Sequence, residues 1–345
     1  MKKFLQLLAI ITFIAILTAC GSDSDNTVAE SNEDATNSSK TEGETSSDGG
    51  ETFTVGATQI LEHPSLDKAY EGFQAAIKDA GLNVEYDFKS AQNDQNNVKT
   101  ISDSFVADGV DLIFANSTPS ALGALQATSD IPIVFTSVSD AVEAKLVPSM
   151  DQAGENITGN VDLHPDAISE TVKFIDQYFP DSKVGMVYNA GEQNSVTQVD
   201  EVKKAAEDTS LEIVERTVAN TAEVQQSVTT LVGEADVIYI ITDNTVVSAL
   251  DSVVGVANDQ DIPLIVGEPD SLAKGGFATF GIDYYTLGYR TGEMAADILS
   301  GEKKVSEIPP EFPPEIKLFI NKDAAEEQGI EWNSDWDESV VEAEK

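Results

Sequence analysis

Cysteine, histidine and arginine are almost missing from this chain, and each scarcity removes a class of chemistry. Cys20 is the single cysteine among 345 residues, so no disulfide framework exists. The two histidines, His63 and His164, lie far apart and cannot supply a zinc cluster. No Gly-x-Ser-x-Gly elbow accompanies them, so no nucleophile-plus-base set is legible and no catalysis is expected. Walker and Gly-x-Gly-x-x-Gly loops are absent as well, which leaves no phosphate cradle and no expected cofactor. Arg216 and Arg290 are the only arginines. With 20 basic against 61 acidic residues, the net charge of −41 repels nucleic acid and anionic lipid. Adaptation to a salty or alkaline exterior accounts for such a surface, since acidic side chains stay hydrated there.

What the chain does have begins at its N-terminus. Lys2 and Lys3 precede an uncharged stretch from Phe4 to Thr18. That stretch is shorter than the roughly 20 residues of a bilayer span and fits the apolar region of an export signal. It ends in Leu17-Thr18-Ala19-Cys20-Gly21, which resembles the lipobox of bacterial lipoproteins. The resemblance implies a signal peptide over residues 1–19 and acylation of Cys20 by palmitate-type chains. Two acyl chains would hold a domain at the outer face of the cell membrane, in a Gram-positive-type or halotolerant bacterium.

Residues 20–51 hold Ser, Asp, Glu, Asn, Thr and Gly with little that is apolar, which reads as a disordered acidic tether. Setting aside Lys2, Lys3, Lys40 and the tether's nine acids leaves 52 acids and 17 bases, a net −35, on the remainder of the chain. From Phe53 onward the length suffices for two domains of ordinary size.

Beyond the tether, short β-rich runs alternate with helical patterns. Strands are expected at 53–60, 82–88, 110–115 and 131–135, with helices at 65–80, near 95–107 and from Pro119. These near-continuous apolar runs suit a parallel sheet covered on both faces, and repeated βα units predict a doubly wound α/β domain. The pattern restarts with a helix at 165–178, strands at 184–188, 211–218 and 237–241, and a helix at 194–208. Gly109-Val-Asp-Leu-Ile-Phe, Ser120-Ala-Leu and Asp130-Ile-Pro-Ile-Val are echoed by Ala235-Asp-Val-Ile-Tyr-Ile, Ser248-Ala-Leu and Asp261-Ile-Pro-Leu-Ile. That echo implies two lobes with one strand–helix–strand logic. A helix over 284–299, the proline-stiffened Pro309–Pro314 connector and a late strand at 316–320 read as a crossing back between lobes.

Several segments, in order, carry a family resemblance: Gly56-x-x-Gln59-x-x-x-His63-Pro64-x-Leu66-Asp67, Ser117-Thr-Pro119, Ser137-Val-Ser-Asp140, Asn156-Ile-Thr-Gly159, Tyr188-Asn-Ala-Gly-Glu-Gln-Asn-Ser195 and Gly281-Ile-Asp-Tyr284. With the lipobox they resemble the substrate-binding lipoproteins of ABC importers, nearest the tryptophan/tyrosine subfamily. The resemblance runs from Phe53 to about Gly329. It implies a type I periplasmic-binding fold of two Rossmann-like lobes joined by three crossovers, near Gly159, near Asp283 and near 309–314. The N-terminal lobe would hold residues 52–159 and about 284–310, and the C-terminal lobe 160–283 and about 311–330. Residues 331–345, with Trp332 and Trp336, fall outside and read as a frayed acidic tail. The resemblance also implies a monomer that captures an aromatic amino acid by lobe closure, then meets an ABC permease served by a separate ATPase.

Ligands in open α/β sheets sit beyond the carboxyl ends of strands. Polar residues at seven such ends are Gln59 and His63; Ser117 and Thr118; Thr136 and Ser137; Asn189, Glu192, Asn194 and Ser195; Asp243 and Asn244; Glu268; and Asp283. Any one of these Ser or Thr hydroxyls can equally be a helix N-cap. A free amino acid needs an anion site, for which Ser117, Thr118, Thr136 and Ser137 at helix starts are suited. It also needs a carboxylate for its ammonium, with Glu192 and Asp283 ahead of Asp243 and Glu268. Flat walls are available in Ile60, Phe135, Tyr188 and Tyr284. His63 either faces the cleft or caps the following helix. A sugar or nucleoside ligand, and a sensing role beside a membrane kinase, stay open at the level of sequence.

Overall fold

The computed structural model describes residues 51–341. The signal segment, Cys20, most of the tether and residues 342–345 lie outside them. In chain order the elements of the first lobe are β1 (Thr52–Gln59), α1 (Pro64–Asp79), β2 (Asn83–Ser90), α2 (Gln95–Asp108), β3 (Leu112–Asn116), α3 (Thr118–Ala127), β4 (Ile133–Val138) and β5 (Ile157–Val161). The second lobe continues with α4 (Ala167–Tyr178), β6 (Lys183–Asn189), α5 (Gln193–Ala206), β7 (Glu212–Val218), α6 (Val224–Thr229) and β8 (Val237–Ile240). Then come α7 (Asn244–Val247), α8 (Leu250–Asp259), β9 (Leu264–Val266), α9 (Pro269–Ala273) and β10 (Ala278–Gly281). The chain closes with α10 (Tyr284–Leu299), β11 (Lys317–Ile320) and α11 (Lys322–Glu327). None of these helices is long and apolar enough to cross a membrane.

Every residue of β3, β4 and β5 is buried, because helices cover both faces of their sheet. Alternate residues serve alternate layers: Leu112, Phe114 and Val134 pack under α1, while Ile113, Ala115, Ile133 and Phe135 pack under α2 and α3. Strand order is β2-β1-β3-β4-β5 in the first sheet and β11-β10-β9-β8-β6-β7 in the second, parallel except for β11. The two orders are the same topology with one antiparallel edge strand added. The internal echo now has its structural basis, since β3 and β8 are the third strand of each lobe. The longer second copy holds a divided helix, α7 and α8, where the first has α3 alone.

Three crossovers join the lobes. Val161 leads out of β5, Ile282-Asp283 leads from β10 into α10, and the proline-rich stretch leads from α10 to β11. The first and third run side by side: Val161 N–H donates to Glu311 O, and Glu311 N–H to Gly159 O, both at 3.0 Å. Arg290 of α10 clasps the Glu311 carboxylate with Nε at 2.9 Å and Nη2 at 2.8 Å. Although α10 follows a strand of the second sheet, Ala295, Ala296 and Leu299 bury against the first. It does so in backbone contact with α1. A Cβ on Gly288 would fall 1.8 Å from Ala69 O, one on Gly72 2.1 Å from Tyr285 O, and one on Gly292 2.5 Å from Phe73 O.

The end of the chain corrects the expectation of a frayed tail. Trp336 is 2% exposed and sits among Tyr178, Phe277 and Trp332 at ring distances of 5.1, 5.1 and 5.5 Å. Val341 N–H donates to Ile320 O at 3.0 Å, which seals the free edge of β11. Acidic composition masks two aromatic anchors. The short strands β5, β9 and β10 are also weak in sequence, since three to five residues give periodicity little to work on.

Two substitutions test this packing by chemical denaturation. Gly288→Ala is expected to lose about 2–3 kcal/mol or more, as overpacking against an immovable backbone does. Trp336→Ala is expected to cost about 3–5 kcal/mol, the loss typical of a deleted core aromatic. A change near zero at Trp336 would restore the frayed-tail reading.

Candidate ligand-binding site

Between the lobes lies a narrow cavity lined by residues of both. Its first-lobe wall comes from the β1–α1 turn (Leu61, His63), the start of α1 (Ser65, Leu66), the start of α3 (Thr118) and the end of β4 (Ser137, Ser139). The second-lobe wall comes from α5 (Asn194), the end of β8 and α7 (Thr242, Asp243, Asn244, Val247) and the α9 cap (Glu268). Asp162 and Tyr284 enter from the first and second crossovers. The lobes meet around it. Ser65 Oγ lies 2.6 Å from Glu268 Oε2, Lys68 Nζ 2.7 Å from Asp270 Oδ1, and Gln198 Nε2 2.9 Å from Ser139 Oγ.

Local sequence sets this geometry. Ser117 has φ 125° and Ser137 φ 56°, both in the region that side chains rarely adopt. At Ser137 the strain accompanies a register shift between β4 and β5. The shift leaves Ser137 lining the cavity, its Oγ buried without a partner. Thr118 Oγ1, Asn194 Oδ1, Asp162 Oδ1 and His63 Nε2 also line the cavity as buried polar atoms with no partner. Buried polar atoms are ordinarily paired, so a group of orphans around one space marks where a ligand's polar atoms belong.

No lysine or arginine lines the cavity, while three carboxylates do. Two of the three are occupied. Asp243 caps α7, accepting Val246 N–H at 2.8 Å and Asn189 N–H at 2.7 Å. Burial and the nearby Glu192 push its pKa up to about 7. Glu268 caps α9, accepting Ser271 N–H and Asp270 N–H at 2.6 Å each. Asp162 is different. Its Oδ2 accepts the Tyr284 hydroxyl at 2.9 Å, and its Oδ1 is buried and empty. Burial pushes the Asp162 pKa up to about 6, although the Tyr284 hydrogen bond pulls the other way. Burial and Asp162 together hold the Tyr284 hydroxyl well above its ordinary range.

Half of the residues singled out from sequence come together here: His63, Thr118, Ser137, Asn194, Asp243, Asn244 and Glu268. The others do not line the cavity. Gln59 donates to Leu61 O and Asp67 Oδ1 at 2.9 and 2.8 Å, bracing the β1–α1 turn. Ser117 caps α3 through Ser120 N–H at 3.2 Å. Thr136 is buried within β4, and Ser195 lies beneath Asn194 as an acceptor at 3.3 Å. Asn189 holds Thr245 Oγ1 at 2.9 Å.

Neither of the two carboxylates favoured for an ammonium lines the cavity. Glu192 is saturated by the N–H groups and side chains of Asn244 and Thr245 at 2.6–3.1 Å. Asp283 is exposed, caps α10 through Thr286 N–H at 2.6 Å, and lines a separate groove at the crossovers. Of the proposed walls only Tyr284 reaches the cavity. Ile60 and Phe135 are core, and Tyr188 turns its hydroxyl to Glu215 at 2.9 Å. For His63 both readings hold at once, because Nδ1 caps α1 while Nε2 faces the cavity. Sequence reasoning misses Asp162 because β5 is too short to register as a strand, yet this acid occupies the same strand-end position as the others. Ser65, Ser139 and Thr242 sit within two residues of candidate positions.

A tyrosine-binding protein of Clostridioides difficile is 40% identical over 328 residues, 93% of this chain and 91% of that protein. A Streptococcus pneumonia ABC domain in complex with L-Trp superposes with a TM-score of 0.80 at 32% identity, covering 84% of this chain and 100% of that one. A ligand-free, open substrate-binding protein with adhesive properties from Clostridium difficile is 38% identical but reaches only 0.63, over 85% and 100%. More remote sugar receptors share the fold alone. A sequence model of ABC transporter substrate binding proteins matches residues 54–343, and the chain belongs to that family.

Proposed function

We propose that this protein is the extracytoplasmic receptor of an ABC importer for an aromatic amino acid. Acylation at Cys20 would keep it at the membrane beside a permease with a separate ATPase. The observation that carries the reading is the pairing of two kinds of empty polar group in one cavity between the lobes. Asp162 Oδ1 is a buried acceptor for an ammonium. Thr118 Oγ1 and Ser137 Oγ are buried hydroxyls at and beside the N-terminus of α3, where a carboxylate gains from the helix dipole without any arginine. Leu61, Leu66, Val247 and the Tyr284 ring supply apolar surface for the side chain. The relatives named for tyrosine and bound to L-Trp narrow the class to aromatic amino acids.

Closure is the transport signal in this reading. The ligand bridges Thr118 and Ser137 of one lobe to residues of the other, adding to the contacts between Ser65, Lys68 and Ser139 and their partners. A closed, occupied receptor then presents a joined surface to the permease.

A thermal-shift screen of the chain against the twenty amino acids, common sugars and nucleosides tests the ligand class. A ligand at 100 times its dissociation constant adds about 2.7 kcal/mol, enough to move the midpoint by several degrees. Shifts confined to tyrosine, tryptophan and phenylalanine are expected; shifts with sugars alone would discard the amino acid.

The pH dependence comes from Asp162. Its folded pKa lies above the ordinary carboxylate value, so below about pH 6 the carboxyl is protonated and must lose its proton to pair with an ammonium. Affinity is expected to fall as pH drops below that point, approaching about tenfold per unit. Asp162→Asn should lower affinity at pH 7 by about a hundredfold and flatten this profile. The same substitution should stabilise the ligand-free protein at pH 7 by up to about 2 kcal/mol, because a raised folded pKa means that ionised Asp162 opposes folding there. Calorimetric titration from pH 5 to 8 and melting curves read both effects.

A further inference from the structure

His63 has one ring nitrogen committed and one idle. Nδ1 accepts Ser65 N–H at 3.3 Å, so in the neutral imidazole the proton sits on Nε2. Burial holds the His63 pKa below its ordinary value, against the opposite pull of Glu268 and Asp270. The ring is therefore neutral near pH 7, with an N–H on a side chain that lines the cavity. That Nε2 is buried without a partner, on a residue only 6% exposed.

Across from it stands Glu268 Oε1, 3.9 Å from Nε2 and beyond direct hydrogen-bond reach. Glu268 Oε2 is filled by Asp270 N–H and Ser65 Oγ, both at 2.6 Å. Oε1 takes Ser271 N–H at 2.6 Å, which leaves a second lone pair on that oxygen. An N–H lacking an acceptor thus stands beside an oxygen with room for a donor.

Few groups satisfy both. A carboxylate would accept from Nε2–H but be repelled by Glu268, with Asp270 close behind. An indole N–H or an ammonium would suit Oε1 and leave Nε2–H unpaired. A hydroxyl serves both, since it accepts one hydrogen bond and donates another. An oxygen about 2.8 Å from each would subtend roughly 90° between them, an angle that a hydroxyl's lone pair and O–H can serve. Among aromatic amino acids only tyrosine carries such a group on its ring.

We propose that His63 Nε2 and Glu268 Oε1 form a hydroxyl-selective subsite that makes tyrosine the preferred ligand over phenylalanine and tryptophan. This rests on the aromatic amino acid reading above and assigns the specificity within it. A site built to bond a hydroxyl leaves two buried groups unpaired when an analogue lacks it, which discriminates far more strongly than apolar fit does.

Isothermal titration of the full chain in mild detergent with tyrosine, phenylalanine and tryptophan is the test. The wild type is expected to favour tyrosine over phenylalanine by about a hundredfold or more. His63→Asn keeps an amide oxygen that can cap Ser65 N–H but removes the idle N–H. It should bring tyrosine down towards the phenylalanine affinity while changing phenylalanine less than about threefold. Glu268→Gln should narrow the same gap, and the wild-type ratio itself needs no variant to fold. A parallel loss of both ligands in His63→Asn would place a carboxylate at His63 and overturn the proposal. So would a wild type that binds the three without preference, although the aromatic reading would then survive. Binding of none of them would overturn both.

Discussion

The backbone contact between α1 and α10 is the constraint on which the rest of the architecture depends. Gly72, Gly288 and Gly292 let the two helices approach until carbonyls lie where Cβ atoms would be. That approach embeds α10 in the first lobe although the strand before it belongs to the second. The chain must then cross back to make β11, so three connections join the lobes. Arg290, Glu311 and the paired backbone of Gly159 to Val161 fasten those connections to one another. Asp162 and Tyr284 sit at the exits of two of them and meet through a 2.9 Å hydrogen bond. The one carboxylate oxygen left empty in the cavity is therefore placed by the crossovers rather than by either lobe.

Charge is used sparingly inside an otherwise very acidic molecule. Asp243, Glu268 and Glu192 all lie buried near the cleft, and each accepts the N–H groups of a helix start. Those bonds let a carboxylate be buried without a cation, because fixed dipoles replace water. Burial raises the pKa of Asp243 and Asp162 alike, and what sets Asp162 apart is an oxygen without a partner. A zwitterion supplies what the lining lacks: a positive charge for Asp162, and a negative one for hydroxyls and a helix N-terminus. Scarcity of arginine, which at first only excluded partners, here defines how an anion has to be held.

Lobe arrangement links site to function. Contacts such as Ser65 with Glu268 and Ser139 with Gln198 hold residues of one lobe against the cavity wall of the other. The chain superposes better on an L-Trp complex than on an open, ligand-free relative with higher identity.

Much of the fold is legible from the order of apolar runs, because both-face burial in a parallel sheet demands unbroken apolar strands at short range. The internal echo marks topologically equivalent units for the same reason. The strand-end rule brings half of the candidate residues to the cavity, since strand ends are where the sheets open. It cannot separate Glu192 and Asp283 from Asp162. All are acids beyond strand ends, and what divides them is whether nearby N–H groups fill their oxygens or leave one empty. Nor can it show that Trp336 is a core residue, because its aromatic partners come from elements up to about 160 positions away. Local pattern, composition and caps were determined by the sequence alone. Which polar atom is left without a partner was decided only by tertiary structure, because that depends on every group brought within about 3 Å of it.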